Sequence, residues 1–327
     1  MKTGFEIESI DPSKRIKRTW IFTFFVIGIL MVLLYVITMI YNTEYVSFSE
    51  EYKGVKIRLV IEKTDHADEY AQRAFLEFKR IYEKYTAQYA VIPLEADQDE
   101  LYYADSETLA LVRKLSMIAE YSGGLYDYTL GNLALLYDEH DQPTEEEIDD
   151  TIEKTGFYNV EFTEDGIKLY NGVKLYLKPV AVPFAMDSVV AFLKNMHEKQ
   201  TGYIQVGRNL SIIGKRNSST QWMDTINLPA EEKVIYLGKG AIWRGRLNEL
   251  SSITGRFEHS AFQWGIVVSE SALQAKTAMM ALNVLEREKA IEYIEKWSLI
   301  CGFRYDDEME YFNGFEGLFF NGNKVME

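Results

Sequence analysis

A single cysteine, Cys301, stands in a chain of 327 residues, so no intrachain disulfide and no cysteine-based metal cluster can be built. Histidine is nearly as scarce. His66, His140, His197 and His259 are scattered without ligand spacing, which argues against a zinc site. Positive charge is also in deficit, with 35 basic against 50 acidic residues and a net charge of −15, and this argues against a nucleic-acid surface. What the chain does have is 47% hydrophobic and 14% aromatic residues, enough for one large or two small packed domains.

The N-terminal segment is organised differently from the rest. Residues 1–19 are polar and end in Lys14, Arg15, Lys17 and Arg18, after which Trp20 to Ile40 carries no charge. At about 1.5 Å per residue this run would span about 31 Å, the thickness of a bilayer core. Trp20 and Tyr41 sit where interfacial aromatics belong, and the basic cluster lies only on the N-terminal side. No small-residue cleavage site follows, and no cysteine is present there to carry a lipid. These features predict a cytoplasmic basic N-terminus over 1–19, one uncleaved transmembrane helix over 20–41, and an extracytoplasmic domain over 42–327. In a bacterium that domain would lie on the periplasmic side of the inner membrane, tethered by one helix among other membrane or envelope proteins.

Within the large domain, helices and strands alternate irregularly. Gly54 to Glu62 alternates as a strand, and Thr64 or Asp65 can cap a helix to Tyr85 with Tyr70, Ala74, Phe78, Ile81 and Tyr85 inward. Asp105 or Ser106 can cap a second helix with Leu109, Val112, Leu115 and Ile118 inward. Gly123 and Gly124 stop it, and Asp127 or Thr129 can cap a short helix after that. Thr144 and Glu147 have capping-box spacing. Asn171-Gly172 and Asn313-Gly314 each predict a hairpin turn, and residues 203–214 read as strand, turn and strand. The apolar run Ile266 to Val268 feeds a helix at whose start Ser271 and Gln274 have capping-box spacing, with Ala275, Ala278, Met279, Leu282 and Leu285 on one face. A last helix, Glu288 to Trp297, turns Ile291, Ile294 and Trp297 inward.

Several short strings in this order resemble the ApbE-type FAD:protein FMN transferases. The closest is Ser122, Gly124, Tyr126, Asp127, Thr129, Gly131 and Leu133, against a family pattern S-x-G-x-F-D-x-T-x-G-x-L. Leu177, Ala181, Ala185 and Asp187 follow L-G-A-x-A-K-G-x-A-V-D. Trp222, Ile226 and Pro229 follow W-x-x-x-I-x-x-P, Gly238 remains of a T-S-G stretch, and Thr254 and Gly255 remain of H-x-x-D-P-x-T-G. The resemblance implies an α+β fold, T-fold-like, with mixed, largely antiparallel sheets flanked by helices. It also implies FAD held with Mg2+, and transfer of FMN to a threonine of a target flavoprotein. By resemblance the cofactor-binding candidates are Tyr126, Asp127, Thr129, Asp187, Gly207, Arg208, Thr254 and Lys276.

Yet the positions that carry the chemistry differ. The family's aspartate and threonine metal ligands, four residues apart on the last buried helix, are Lys276 and Met280 here. Val182 replaces a lysine, Lys178 and Pro183 replace glycines, and Arg208 replaces the second glycine of a hairpin pair. A protonated lysine cannot ligate Mg2+, and proline fixes φ and removes a backbone donor. The expectation is a flavin-transferase fold without its catalysis, serving as a structural or partner-binding subunit. An active transferase and a metal-independent flavin or phosphate binder are the alternatives. Asp187 is expected to cap or brace the helix running to Lys199, and Lys276 is otherwise a solvated residue on an amphipathic helix.

Overall fold

The computed structural model describes residues 12–41, 44–86, 91–92, 101–140, 142–164, 166–196, 200–214, 222–227, 232–246, 262–305 and 308–319. The chain divides into two units, residues 1–45 and 46–327. The first contains α1 (Pro12–Tyr41), whose described side chains, Trp20 and residues 22–35, are all exposed. Among the described residues no helix is long and apolar enough to cross a membrane.

The second unit runs β1 (Tyr45–Tyr52), β2 (Val55–Glu62), α2 (Ala67–Thr86), β3 (Val91–Ile92), β4 (Leu101–Tyr102), α3 (Ser106–Tyr121), α4 (Gly131–Glu139) and α5 (Glu145–Ile152). It continues β5 (Val160–Phe162), β6 (Ile167–Leu169), β7 (Leu175–Tyr176), α6 (Ala181–Met196), β8 (Gly202–Val206), β9 (Asn209–Ile213), β10 (Trp222–Asn227) and β11 (Glu232–Leu237). Last come β12 (Ala241–Arg246), β13 (Trp264–Ser269), α7 (Ala272–Asn283), α8 (Arg287–Lys296), β14 (Ile300–Tyr305) and β15 (Glu308–Phe312).

The frame is an eight-stranded sheet in the order β1-β2-β8-β9-β12-β13-β14-β15. From β2 to β15 its neighbours pair antiparallel. Helices α6 and α7 pack on it and on each other, and α2 packs on α6. The α2 side chains read as inward do this work: Phe78, Ile81 and Tyr85 are fully buried, and Phe184 of α6 meets Tyr85 edge-on at 5.8 Å. Burying each such apolar side chain stabilises the fold by about 1.5–3 kcal/mol. Cys301 lies on β14, the last strand but one of the sheet, between Val267 of β13 and Phe312 of β15, fully buried, and burial pushes its thiol pKa up.

Three of the cap signals are realised, while the Thr64 hydroxyl expected to cap α2 is buried without a hydrogen-bond partner. Asp105 accepts from the Thr108 N–H, and Thr144 with Glu147 forms a capping box on α5. Ser271 accepts from the Gln274 N–H, but the box is only half formed, since the Gln274 side-chain oxygen accepts from Ser269 Oγ at 3.2 Å. Gly123 and Gly124 close α3 at φ 66° and 83°. Both expected hairpins differ, however. Asn171 and Gly172 do take φ 58° and 68°, but β6 before them pairs with β4 and β5 while β7 after them pairs with β3. Asn313-Gly314 likewise turns the chain from β15 into the 3-10 turn Phe315–Leu318, not into a strand. On the last helix Ala290 and Ile294 are buried, while Ile291 and Trp297 are only partly covered.

Candidate functional site

The Ser122 to Leu133 segment is held by bonds within itself and to the turns that flank it. Ser122 Oγ donates to the Ala119 carbonyl at 3.0 Å and accepts from the Tyr126 N–H at 3.1 Å. Asp127 does not cap α4, which begins without a side-chain cap. Its Oδ1 accepts instead from the Thr129 N–H at 2.8 Å and the Thr129 hydroxyl at 2.6 Å. Thr129 Oγ1 in turn accepts from the Gly156 N–H at 2.7 Å, so the pair joins this turn to the one after α5. Burial raises the Asp127 pKa while these donors pull it back. Tyr126 is buried, which raises its phenol pKa. Gly131 donates to the Lys174 carbonyl at 2.9 Å, and a Cβ there would lie 2.6 Å from that oxygen. Each residue of the motif thus has a structural task.

The segment expected as an altered nucleotide loop is helical. Lys178–Val180 is a 3-10 turn that runs directly into α6 at Ala181. Pro183 falls in the first turn of α6, where a missing N–H removes no intrahelical bond. Asp187, inside α6, does not brace its own helix. Its carboxylate accepts from the Ala272 N–H at 2.8 Å and the Leu273 N–H at 3.0 Å, at the start of α7. With Ser271 Oγ on the Gln274 N–H at 3.2 Å and the Ser271 carbonyl on the Ala275 N–H at 3.0 Å, all four leading donors of α7 are satisfied. Burial pushes the Asp187 pKa up, against the pull of its two backbone donors.

Helix α7 is buried nearly all round, and Lys276 with it. Lys276 is 7% exposed, not the solvated residue an amphipathic helix would carry. Its Nζ lies 5.4 Å from the centroid of the Trp243 ring, and among the described residues it has no carboxylate partner. Burial pulls its pKa down to about 8. Met280 lies one turn on, partly buried against the core. An ammonium and a thioether do not suit Mg2+, which takes oxygen ligands, so the side chains present here do not fit the metal that the resemblance implies.

The remaining candidates lie elsewhere. Gly207 and Arg208 form the tip of the β8–β9 turn, with Gly207 at φ 59° and its N–H on the Lys56 carbonyl at 3.1 Å. Arg208 is exposed, and its charge helps lower the pKa of buried Arg244, mainly depressed by burial. Arg244 pairs with Asp224 and donates to the Thr225 carbonyl at 3.3 Å, which fastens the β10–β11 hairpin to the sheet. Neither Trp243 nor Arg244 is marked by any motif; the strand alternation of β12, which sends them to opposite faces, is the signal that could have found them. Thr254, Gly255 and Pro229 lie outside the described residues. Asp187 reaches the start of α7 and Lys276 lies further along that helix without contact between them, whereas Tyr126, Asp127 and Thr129 fall in one turn.

The family model described as "ApbE family" matches residues 53–243. No curated protein matches the chain. Among solved structures, an ApbE protein from Thermotoga maritima superposes with a TM-score of 0.70 at 20% identity, over 84% of this chain and 99% of its own. The flavinyl transferase ApbE of Pseudomonas stutzeri, in its apo form, gives 0.71 at 16% identity, over 86% and 98%. The flavin transferase ApbE of Vibrio cholerae gives 0.70 at 16% identity, over 85% and 100%. At such identities these structures establish the shared fold, and together with the sequence match over more than half of its length they show that this chain belongs to the ApbE family.

Proposed function

We propose that the chain is a membrane-anchored member of its family that does not perform metal-assisted FMN transfer and serves as a structural or partner-binding subunit of a membrane or envelope assembly. The observation that carries this reading is Lys276, buried with no carboxylate partner among the described residues, at the position that resemblance assigns to a metal ligand. Phosphoryl transfer depends on positioning and on neutralising phosphate charge, normally with a metal. Here the cation is fixed to the protein, and Met280 offers no oxygen in support. The scaffold positions, by contrast, keep their hydrogen bonds. The anchor is supported by α1, whose Phe22, Phe24, Phe25, Leu33 and Leu34 are all exposed, and by the basic cluster before it, which favours a cytoplasmic N-terminus.

The test uses the full-length chain purified in mild detergent. FAD is titrated by flavin fluorescence with and without Mg2+, transfer of FMN to threonine of a target flavoprotein is followed by mass, and co-purifying proteins are quantified. The expected result is no magnesium effect, no transfer, and a partner in fixed ratio. Magnesium-dependent transfer would restore the transferase reading, and recovery of the monomer alone would count against a subunit. A second reading, a metal-independent binder of flavin or another phosphate compound, is favoured by the unpaired Lys276 charge. It requires FAD binding that ignores Mg2+ and is abolished by Lys276→Glu.

A further inference from the structure

Ser211 sits on β9 directly across from Ala241 in the register with β12. Ala241 and Trp243 share the sheet face that meets α7, so Ser211 also faces the helix layer. It is 2% exposed, and its hydroxyl has no hydrogen-bond partner. Leaving such a group unsatisfied is unfavourable, and the great majority of buried hydroxyls are bonded to protein or to a bound molecule. The residue lines a cavity of about 240 Å³, shared with Val190 and Lys194 of α6, Lys239 of the β11–β12 turn, and Glu270. Asp187 borders the same cavity, but its carboxylate is already engaged by the two α7 N–H groups.

The lining carries the ammonium groups of Lys194 and Lys239 against the carboxylates of Glu270 and Asp187, and the positive N-terminal end of α7 offsets part of the Asp187 charge, which leaves a small positive excess. A metal dication has too few oxygen ligands there, and a phosphate dianion brings two charges against that small excess, where a carboxylate brings one. A single carboxylate group matches both the charge and the floor hydroxyl. The Lys239 turn is fixed in place: Gly240, at φ 89°, accepts from the Ile212 N–H at 2.9 Å, and a Cβ on it would lie 2.4 Å from the Ser269 carbonyl oxygen. We propose that this cavity binds a small organic acid, with its carboxylate held between Lys194 and Lys239 and hydrogen-bonded by Ser211, and its apolar body against Val190. The cavity lies at the end of β9 remote from Gly207-Arg208, and the proposal is independent of the function proposed above.

The probe is isovalerate, observed by saturation-transfer NMR on the full-length chain in detergent, with isoamyl alcohol as its neutral analogue and inorganic phosphate as competitor. Saturable binding of the acid but not of the alcohol is expected, weakened about tenfold by Lys239→Gln or Lys194→Gln and several-fold by Ser211→Ala, the size of one charge-assisted or one neutral hydrogen bond. The lysine substitutions are at exposed positions, so loss of fold does not stand in for loss of binding. Absence of isovalerate binding by the wild-type chain up to about 20 mM, the weak end of specific recognition, overturns the proposal. Equal binding of the alcohol, displacement by phosphate at equal concentration, or affinity indifferent to all three substitutions overturns it as well.

Discussion

Replacing Lys276 by methionine should make the protein more stable at neutral pH. The side chain is 7% exposed, with a pKa drawn from 10.5 to about 8 by burial alone. Holding the proton in the folded state at pH 7 therefore costs about 3 kcal/mol, at 1.36 kcal/mol per pKa unit. The face of Trp243 at 5.4 Å returns part of this, about 0.5–2 kcal/mol. Lys276→Met, close in volume and free of charge, should then gain about 2 kcal/mol in unfolding free energy. The pH dependence carries the diagnosis. Because the folded pKa lies below the unfolded one, the unfolded state binds more protons between about pH 8 and 10.5, and wild-type stability rises with pH across that window. Below it the full penalty stands, and above it none remains. The advantage of the variant should therefore shrink by about half or more between pH 7 and about pH 9.5. Urea unfolding followed by tryptophan fluorescence at the two pH values measures this. A destabilised variant at pH 7, or an advantage of the same size at both pH values, would refute the reasoning and mean that Lys276 is solvated or paired.

Asp187→Ala should orphan two buried N–H groups at the start of α7 and lower stability by about 2–4 kcal/mol, with Asp187→Asn intermediate; urea midpoints and faster amide exchange at Ala272 and Leu273 check it. Thr129→Val should lose about 1–3 kcal/mol by leaving the Gly156 N–H without its acceptor and removing one of the donors on Asp127, whereas Thr129→Ser should lose under about 1 kcal/mol because the hydroxyl stays. If both variants unfold alike in a thermal melt, that hydroxyl does not join the two turns. Gly131→Ala should lose at least about 2 kcal/mol, since a Cβ 2.6 Å from the Lys174 carbonyl oxygen forces backbone to move; an unchanged melting temperature would contradict the close approach.

Local chemistry was legible in the sequence, and distant partnership was not. Asp105, Thr144 with Glu147, and Ser271 announce helix starts because a cap acts within three residues. Asn171-Gly172 announces its left-handed dihedrals equally well, but nothing within four residues tells β6 and β7 to join different sheets. Pro183 suggested a broken loop because proline is read first as a breaker, though in the first turn of α6 it removes nothing. Asp187 finds its donors 85 residues further on, beyond any local pattern. Lys276 was placed on the correct helix, but its burial depends on what surrounds α7, and small residues on every side of that helix allow neighbours to close over the lysine as well. The unpartnered hydroxyl of Ser211 left no mark at all, since it sits in an ordinary strand.

The lone thiol, buried under the sheet one strand from its edge, makes the molecule its own clock. Cys301 shows no surface, and burial holds its pKa high, so a thiol reagent has almost no thiolate to meet while β13 and β14 stay paired. The rate of labelling then reports opening around that strand, as the opening rate itself where the reagent outpaces reclosing and as the open population where it does not, read without any engineered tag. Anything that docks on this domain and tightens it will slow that clock, whatever its identity.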